Sequence, residues 1–505
     1  MRTAFLNRTV RALYRRDYAN FLRPRDVRRV QMDYLGALLS RNAETEYGRR
    51  FHFDKLHTYK AFARALPLTT YEDYAPYIEK IANGAGNILT QEPVILFEPT
   101  SGSSGGRKLI PYTQTLKAEF QRGIRPWLCD LYTRIPGLCD GKSYWSITPV
   151  TQGREFTPGG IPIGFEEDTA YFGELEGRLM REIMAVSSNV KFVRSMEQFW
   201  HSTAVQMLTC GALSMMSVWN PTFLSILCSY IRDHAGSLAR TLSRTVDPAR
   251  LQAARDERFD RVFPDLRLIS CWADGSAGED AAALQGLFPG VRIQPKGLLA
   301  TECFTSLPLV GETGARLSIF SHFFEFRSLT DGQICTADEL KTGQYELIVT
   351  TGGGFYRYQI GDIVEILETY PDRPPRLKFL RRKGIASDLC GEKLTEDFVR
   401  GVCQTLGIAG QFCLLAPDGK GYALYTTAHI LPDALEAALC ESYHYNYCRK
   451  LSQLKPAKIV RVTGDPARAY LERLQADGMR LGDIKPAFLS PRSGWEHYFD
   501  TEVKP

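Results

Sequence analysis

Glu98-Pro99-Thr100-Ser101-Gly102-Ser103-Ser104-Gly105-Gly106-Arg107-Lys108 lies between an apolar run, Pro93-Val94-Ile95-Leu96-Phe97, and a helix-forming segment that begins past Pro111 and Thr113. The apolar run reads as a buried strand, and the segment beyond reads as a helix. The predicted order is therefore strand, Gly/Ser/Thr loop, helix. A loop of this composition offers bare backbone N–H groups and small hydroxyls, with no bulky side chain to keep phosphate oxygens out. Lys108 adds a point charge at its far end. The G-x-x-x-x-G-K-[ST] spacing of a Walker A loop is absent. From these residues alone, a phosphate cradle and a flexible surface loop both stand.

Upstream, residues 1–65 read as mainly helical, with Val30, Tyr34, Leu35, Leu38 and Leu39 at helical spacing. Leu66 to Tyr74 reads as an extended segment leading into a helix capped by Thr70 or Thr69, and Asn83-Gly84 as a turn. Downstream, Lys117 to Tyr132 reads as a helix and Ser143 to Ile147 as a strand. Thr157-Pro158-Gly159-Gly160-Ile161-Pro162 is a breaker cluster, either a plain turn or a loop lining a substrate cleft. Residues 176–260 read as helical, with Met207, Leu208, Leu213, Met215 and Met216 as core positions. Gln206 to Ile231, broken by Asn220-Pro221, reads as two core helices rather than a membrane span.

Strands and helices then alternate: Leu266 to Cys271, a helix from Glu279 to Leu287, and Val291 to Ile293. That alternation predicts an α/β sheet with crossover helices. Gly297-Leu298-Leu299-Ala300-Thr301-Glu302-Cys303 puts a carboxylate just past a strand end, where open α/β sheets bind ligands; a helix N-terminal Glu is the alternative. Phe323 to Phe326 is another strand. Tyr345 to Thr351 is a strand turned by Gly352-Gly353-Gly354 into Phe355 to Leu367. Gly361 lets Asp362 sit on a tight turn. There the carboxylate is placed either to accept two ribose hydroxyls or to close an Asx turn. Leu377 to Gly384 is a strand running into a charged joint, where a domain boundary falls. Beyond it, a strand at Tyr422 to Thr427, helices near 432–451 and 466–477, and a strand at Lys458 to Val462 suit a small α+β domain.

A chain of 505 residues holds more than one domain, and a formal net charge of +5 over that length demands no nucleic acid. The 12 cysteines are scattered with no C-x-x-C pair, which reads as reduced, packed thiols in a cytoplasmic protein without a zinc site. No secretory signal pattern opens the chain. Arg2, Arg8, Arg11, Arg15 and Arg16 read as the solvated face of a first helix in preference to a membrane-surface segment.

Seven of these stretches, in this order, resemble one family: Leu66 to Asp73 with Ile81 to Gly84; Thr100 to Gly106 with Lys108 and Ile110-Pro111; Thr157 to Pro162; Ala300-Thr301-Glu302-Cys303; Tyr356-Arg357-Tyr358-Gln359-Ile360-Gly361-Asp362; Arg382-Lys383-Gly384 with Glu392 to Glu396; and Ile484-Lys485-Pro486. The chain resembles the auxin-responsive Gretchen Hagen family of acyl acid–amido synthetases, a branch of the adenylate-forming enzymes. Ser217-Val218-Trp219-Asn220-Pro221 is similar to its bacterial members. Two residues depart from the pattern: Gln359, where a second basic residue is expected, and Thr100, where the plant pattern has Ser.

The resemblance implies an α/β fold. A large N-terminal domain of adenylate-forming, firefly luciferase-like type would span residues 1–381, and a small mobile C-terminal α+β domain residues 382–505. It implies an ATP-dependent ligase that forms acyl-AMP from a carboxylic acid and passes the acyl group to an amine, usually an amino acid's. It further implies ATP contacts at Thr100, Ser101, Gly102, Ser103, Ser104, Lys108, Thr301, Glu302, Asp362 and Arg382. Glu302 would hold Mg²⁺, Asp362 the ribose, and Lys485 the α-phosphate and attacking carboxylate. The acid would lie against Gly159, Gly160, Ile161 and Trp219. The small domain would turn about 381–384 between half-reactions. Tyr144, Trp145, Phe165, Trp200 and Trp219 suit an aromatic or apolar acid and equally suit a core. A thioester ligase and a non-catalytic nucleotide-binding protein are the alternatives. The sequence leaves the oligomeric state unread.

Overall fold

The structure, a computed structural model, describes residues 2–101, 107–147, 155–164, 174–193, 195–274, 277–383, 386–476 and 487–502. The chain divides into two compact units, residues 1–99 with 109–381, and residues 100–108 with 382–505.

The first unit begins with helices Arg2–Leu22 and Val27–Arg41, the second opened by the side chain of Asp26 accepting from the Arg29 N–H. Helix Tyr71–Ala82 settles the choice between two threonines. Thr70 is the N-cap and forms a capping box with Asp73, while Thr69 makes an isolated bridge to Tyr358.

The predicted α/β sheet has four strands, in the order Lys142–Trp145, Leu213–Ser217, Leu268–Cys271 and Arg292–Pro295, all parallel. Leu213–Ser217 corrects the helical reading of 176–260. Every residue of that strand is buried, so it lacks the alternation that marks a half-exposed strand and passes for a core helix. Helices Met196–Thr209 and Pro221–Asp233 flank it.

A small sheet has the order Arg107–Tyr112, Leu96–Ser101, Pro162–Ile163, Glu155–Phe156. It corrects a second expectation. The chain past the Gly/Ser loop forms another strand before the helix, so the order is strand, loop, strand, helix. Only then does Thr113 cap helix Gln114–Arg134. The Ile95 N–H donates to the Tyr112 carbonyl, so the segment is tied back on itself before it can become helical. A seven-stranded sheet completes the unit in the order Ile334–Thr336, Phe323–Ser328, Gly343–Thr350, Tyr358–Glu368, Arg376–Arg382, Ala315–Leu317, Ser306–Leu307.

The second unit carries a three-stranded sheet, Cys413–Pro417, Tyr422–Thr426 and Lys458–Arg461. Its helices are Glu396–Thr405, Pro432–Leu439, Tyr443–Lys450 and Pro466–Ala476. Ser442 caps a new helix where the sequence reads as one continuous segment over 432–451. All 12 cysteines are free thiols. No helix among the described residues is long and apolar enough to cross a membrane.

Candidate active site

Ala300 and Cys303 exchange backbone hydrogen bonds of 3.0 and 3.3 Å, and Leu299 bridges Phe304. Thr301 and Glu302 therefore occupy the tip of a tight hairpin, and Glu302 is not at a helix N-terminus. The Tyr112 hydroxyl, at the end of the strand that follows the Gly/Ser loop, donates to the Thr301 carbonyl at 2.6 Å. The Glu302 carboxylate is 5% exposed. Burial raises the pKa of the Tyr71 hydroxyl against a backbone hydrogen bond with Leu109, and Glu72 and then Glu302 add to the rise.

Asp362 lies within strand Tyr358–Glu368, not on a turn. Opposite it the pairing register slips, because Glu346 faces Ile363 while Ile348 faces Gln359. Ile360, Gly361 and Asp362 form the resulting bulge, and Gly361 adopts φ +82°. This corrects the expected turn: Gly361 supplies the left-handed conformation, but to a bulge that re-aims Asp362. Burial pushes the Cys303 thiol well up. A hydrogen bond with Thr305 opposes this, and the carboxylates of Glu302, Asp362 and Glu119 add to it. At Gln359, where a second base was expected, the side-chain oxygen accepts from Arg327.

Glu119, on helix Gln114–Arg134, ties these pieces together. Its carboxylate accepts from the Tyr34 hydroxyl at 2.6 Å and from the Gly352 N–H at 2.9 Å. The Nδ1 of the buried His322 lies 3.0 Å from it. The His322 Nε2 accepts the Phe304 N–H at 2.9 Å, which leaves the ring proton on Nδ1. The helix after the Gly/Ser loop, the 300–303 hairpin and the glycine turn before the Asp362 bulge thus meet at one carboxylate. The glycine is required there: a Cβ on Gly352 would fall 2.4 Å from the Glu119 carboxylate.

At the C-terminal edge of the parallel sheet, Trp145 and Ser217 end their strands, and Trp272 and Lys296 follow theirs. Lys296 is buried and donates to the Ser217 Oγ at 2.7 Å. Its ammonium stands 5.1 Å from the ring of Trp219 and 5.6 Å from that of Trp127. Gly159 and Gly160 tip the hairpin between Glu155–Phe156 and Pro162–Ile163. The Gly159 N–H donates to the Ala82 carbonyl at 2.8 Å, and a Cβ there would meet Gly84. Ile161 is half-buried and Trp219 exposed.

Of the remaining expected site residues, Gly102, Ser103, Ser104 and Lys485 lie outside the described residues. So do the side chains of Thr100, Ser101 and Arg382, although their backbones fall in strands. Lys108 is half-buried on strand Arg107–Tyr112. Tyr112, Glu119, His322 and Lys296 escaped the sequence reading. Lys296 immediately precedes the quoted Gly297 stretch, and its place three residues past the predicted strand Val291 to Ile293 was the available signal.

A model described as the GH3 family N-terminal domain matches residues 23–254, and one described as the GH3 family central domain matches 316–382; together they take in more than half of the chain. The chain belongs to the GH3 family. This GH3 chain is 26% identical to the putative indole-3-acetic acid-amido synthetase GH3.10 of Oryza sativa subsp. japonica, over 79% of the chain and 86% of that protein. It is 27% identical to the probable indole-3-acetic acid-amido synthetase GH3.1 of Arabidopsis thaliana, over 73% of the chain and 68% of that protein. Among solved structures, GH3.15 acyl acid amido synthetase in complex with 2,4-DB superposes with a TM-score of 0.66 at 19% identity, covering 98% of each chain. The fold is therefore the adenylate-forming α/β type with a separate C-terminal α+β unit.

Proposed function

We propose that this chain is an acyl acid–amido synthetase. A carboxylate attacks the α-phosphate of ATP to give acyl-AMP and pyrophosphate, and the amine of an amino acid then attacks the acyl carbonyl, forming an amide and releasing AMP. One observation carries the reading: the chain belongs to the GH3 family and is similar over most of its length to proteins named as amido synthetases. Phosphoryl chemistry of this kind needs positioning and charge neutralisation more than covalent help.

The residue roles follow from the chemistry of each group. Thr100, Ser101, Gly102, Ser103, Ser104 and Lys108 cradle the phosphates. Thr301 lies against the nucleotide, its carbonyl fixed by Tyr112. Asp362 accepts the ribose hydroxyls, and Arg382 contacts ribose or phosphate. Lys485 neutralises the α-phosphate and the attacking carboxylate, a role of about 3 kcal/mol, or roughly a hundredfold in rate. Gly159, Gly160, Ile161 and Trp219 border the acid. The Glu302 carboxylate is a hard oxygen donor of the kind Mg²⁺ takes. Glu302 would hold that ion, which supplies charge neutralisation at the phosphate oxygens. Residues 382–505 act as the mobile domain, and the free cysteines support a reducing compartment, the cytoplasm, for the reaction.

The test is pyrophosphate release with ATP, Mg²⁺ and a panel of carboxylic acids, with and without amino acids. Turnover that requires both acid and amino acid is expected. Turnover that requires coenzyme A instead would make the protein a thioester ligase. Lys485→Ala is expected to lose acyl-AMP formation; intact formation would overturn its role.

A further inference from the structure

The positive charge of this chain is concentrated at one end. Residues 1–30 hold nine arginines, no lysine and two aspartates, a net +7 against +5 for all 505 residues, so the other 475 carry a net −2. Five of these arginines lie on helix Arg2–Leu22, which packs on helix Gln114–Arg134 and buries Asn7, Val10, Tyr14 and Phe21. Tyr18 donates to the buried Asp130 at 2.7 Å, and the Tyr132 hydroxyl donates to the Asn7 side chain at 3.2 Å. These contacts fix which side of the helix faces outward. There Phe5, Arg8, Ala12, Arg15, Arg16 and Ala19 recur at intervals of three and four, and all are exposed. Arg15 and Arg16 pair with no carboxylate among the described residues. Arg8 stands 3.4 Å from Asp140 with both side chains mostly exposed, a pairing that contributes little.

A solvated helix face accounts for the arginines but not for the apolar side chains among them. Phe5 is 70% exposed, and Leu13 and Leu22 are nearly half exposed. Three of the ten large apolar side chains that stand exposed among the described residues are thus on this one helix. Arginines interleaved with apolar side chains match an anionic bilayer surface. Guanidinium forks take lipid phosphates bidentately, and an aromatic ring enters the headgroup layer. A nucleic acid duplex would match the arginines and leave Phe5, Leu13 and Leu22 in water. We propose that the outward face of helix Arg2–Leu22 docks this protein on an anionic phospholipid surface, with Arg8, Arg15 and Arg16 on headgroup phosphates and Phe5 in the headgroup layer. None of these residues belongs to the nucleotide or acid site, so the docking stands apart from the synthetase reading and its test reads no turnover.

The test is flotation of the full chain with vesicles of phosphatidylcholine and phosphatidylserine at about 3:1, and with vesicles of phosphatidylcholine alone. Binding to the mixed vesicles that weakens as salt rises is expected, with none to pure phosphatidylcholine. Arg8→Gln, Arg15→Gln and Arg16→Gln combined should weaken binding about a hundredfold, since each arginine at such a surface contributes roughly fivefold. Phe5→Ser should weaken it about tenfold and leave the salt dependence unchanged. All four side chains are exposed, and urea unfolding checks that the variants keep wild-type stability. Absence of binding, equal binding to both vesicles, or wild-type affinity in the triple variant would overturn the proposal. Wild-type affinity in Phe5→Ser would overturn it as well and leave a general polyanion surface, which displacement from the vesicles by duplex DNA would then identify.

Discussion

Replacing Glu119 separates positioning from catalysis. Its carboxylate is fully buried and accepts from two donors, the Tyr34 hydroxyl and the Gly352 N–H, with His322 Nδ1 3.0 Å away. In Glu119→Gln the amide oxygen can keep the Gly352 N–H, and the amide nitrogen can donate to Tyr34, whose hydroxyl reverses. What is lost is charge assistance: bonds to a charged group contribute about 1.5–3 kcal/mol each and neutral ones about 1 kcal/mol, so the loss is about 0.5–2 kcal/mol per bond, or about 1–4 kcal/mol for the two. In Glu119→Leu the Gly352 N–H and the Tyr34 hydroxyl are both stranded, at about 1–3 kcal/mol each. Neither variant touches substrate. Both loosen His322, which holds the Phe304 N–H two residues past Glu302, and displacing a reacting geometry by an ångström costs about a hundredfold in rate. Urea unfolding of the full chain gives the stabilities, and pyrophosphate release gives kcat and KM for ATP. Expected is a fall in kcat of tenfold or more for Glu119→Gln at temperatures where the variant remains fully folded, with Glu119→Leu worse in both readouts. A Glu119→Gln enzyme with wild-type kcat and KM would refute the claim that this carboxylate sets the hairpin.

Gly352→Ala places a methyl group 2.4 Å from the Glu119 carboxylate and from Thr115 Cγ2, so a loss of about 1–3 kcal/mol in urea unfolding is expected. Arg357 pairs with the buried Glu325 at 2.8 Å and donates to the carbonyls of Ala63 and Leu66; Arg357→Met strands Glu325 and should cost about 3–5 kcal/mol, read as a lowered urea midpoint. Glu392 has its carboxyl pushed from an ordinary 4.5 up to about 7, first by burial and then by Asp388, against hydrogen bonds from Tyr422 and the Leu389 and Cys390 N–H groups. The folded chain then holds this proton more tightly than the unfolded chain. The stabilisation is complete below pH 4.5 and is lost as pH rises through 7, a change of up to about 3 kcal/mol. Glu392→Gln should flatten that slope in unfolding measured from pH 5 to 8.

What the sequence carried, and what it hid, divides along a physical line. The alternation from Leu266 to Ile293 was legible because crossover helices interrupt short apolar strands. Leu213–Ser217 was not, because a strand covered on both faces has no period of two to read. Thr301, Glu302 and Asp362 were legible as motif residues, but the form of their support was not. A hairpin in place of a helix start, and a bulge in place of a turn, depend on partners outside the local stretch: Glu346 and Ile348, on the neighbouring strand, for the Asp362 bulge, and Tyr112, 189 residues away, for Thr301. The same holds more strongly for Glu119, His322 and Lys296. Each stands among ordinary neighbours, and its role exists only through contacts 18 to 233 residues distant in sequence, His322 with Phe304 and Glu119 with Gly352 being those extremes. Local patterns mark residues that face a ligand on exposed loops. A buried residue that holds such a loop in place leaves no local mark except a charge where an apolar side chain would pack, and Glu119 and Lys296 are that kind of charge.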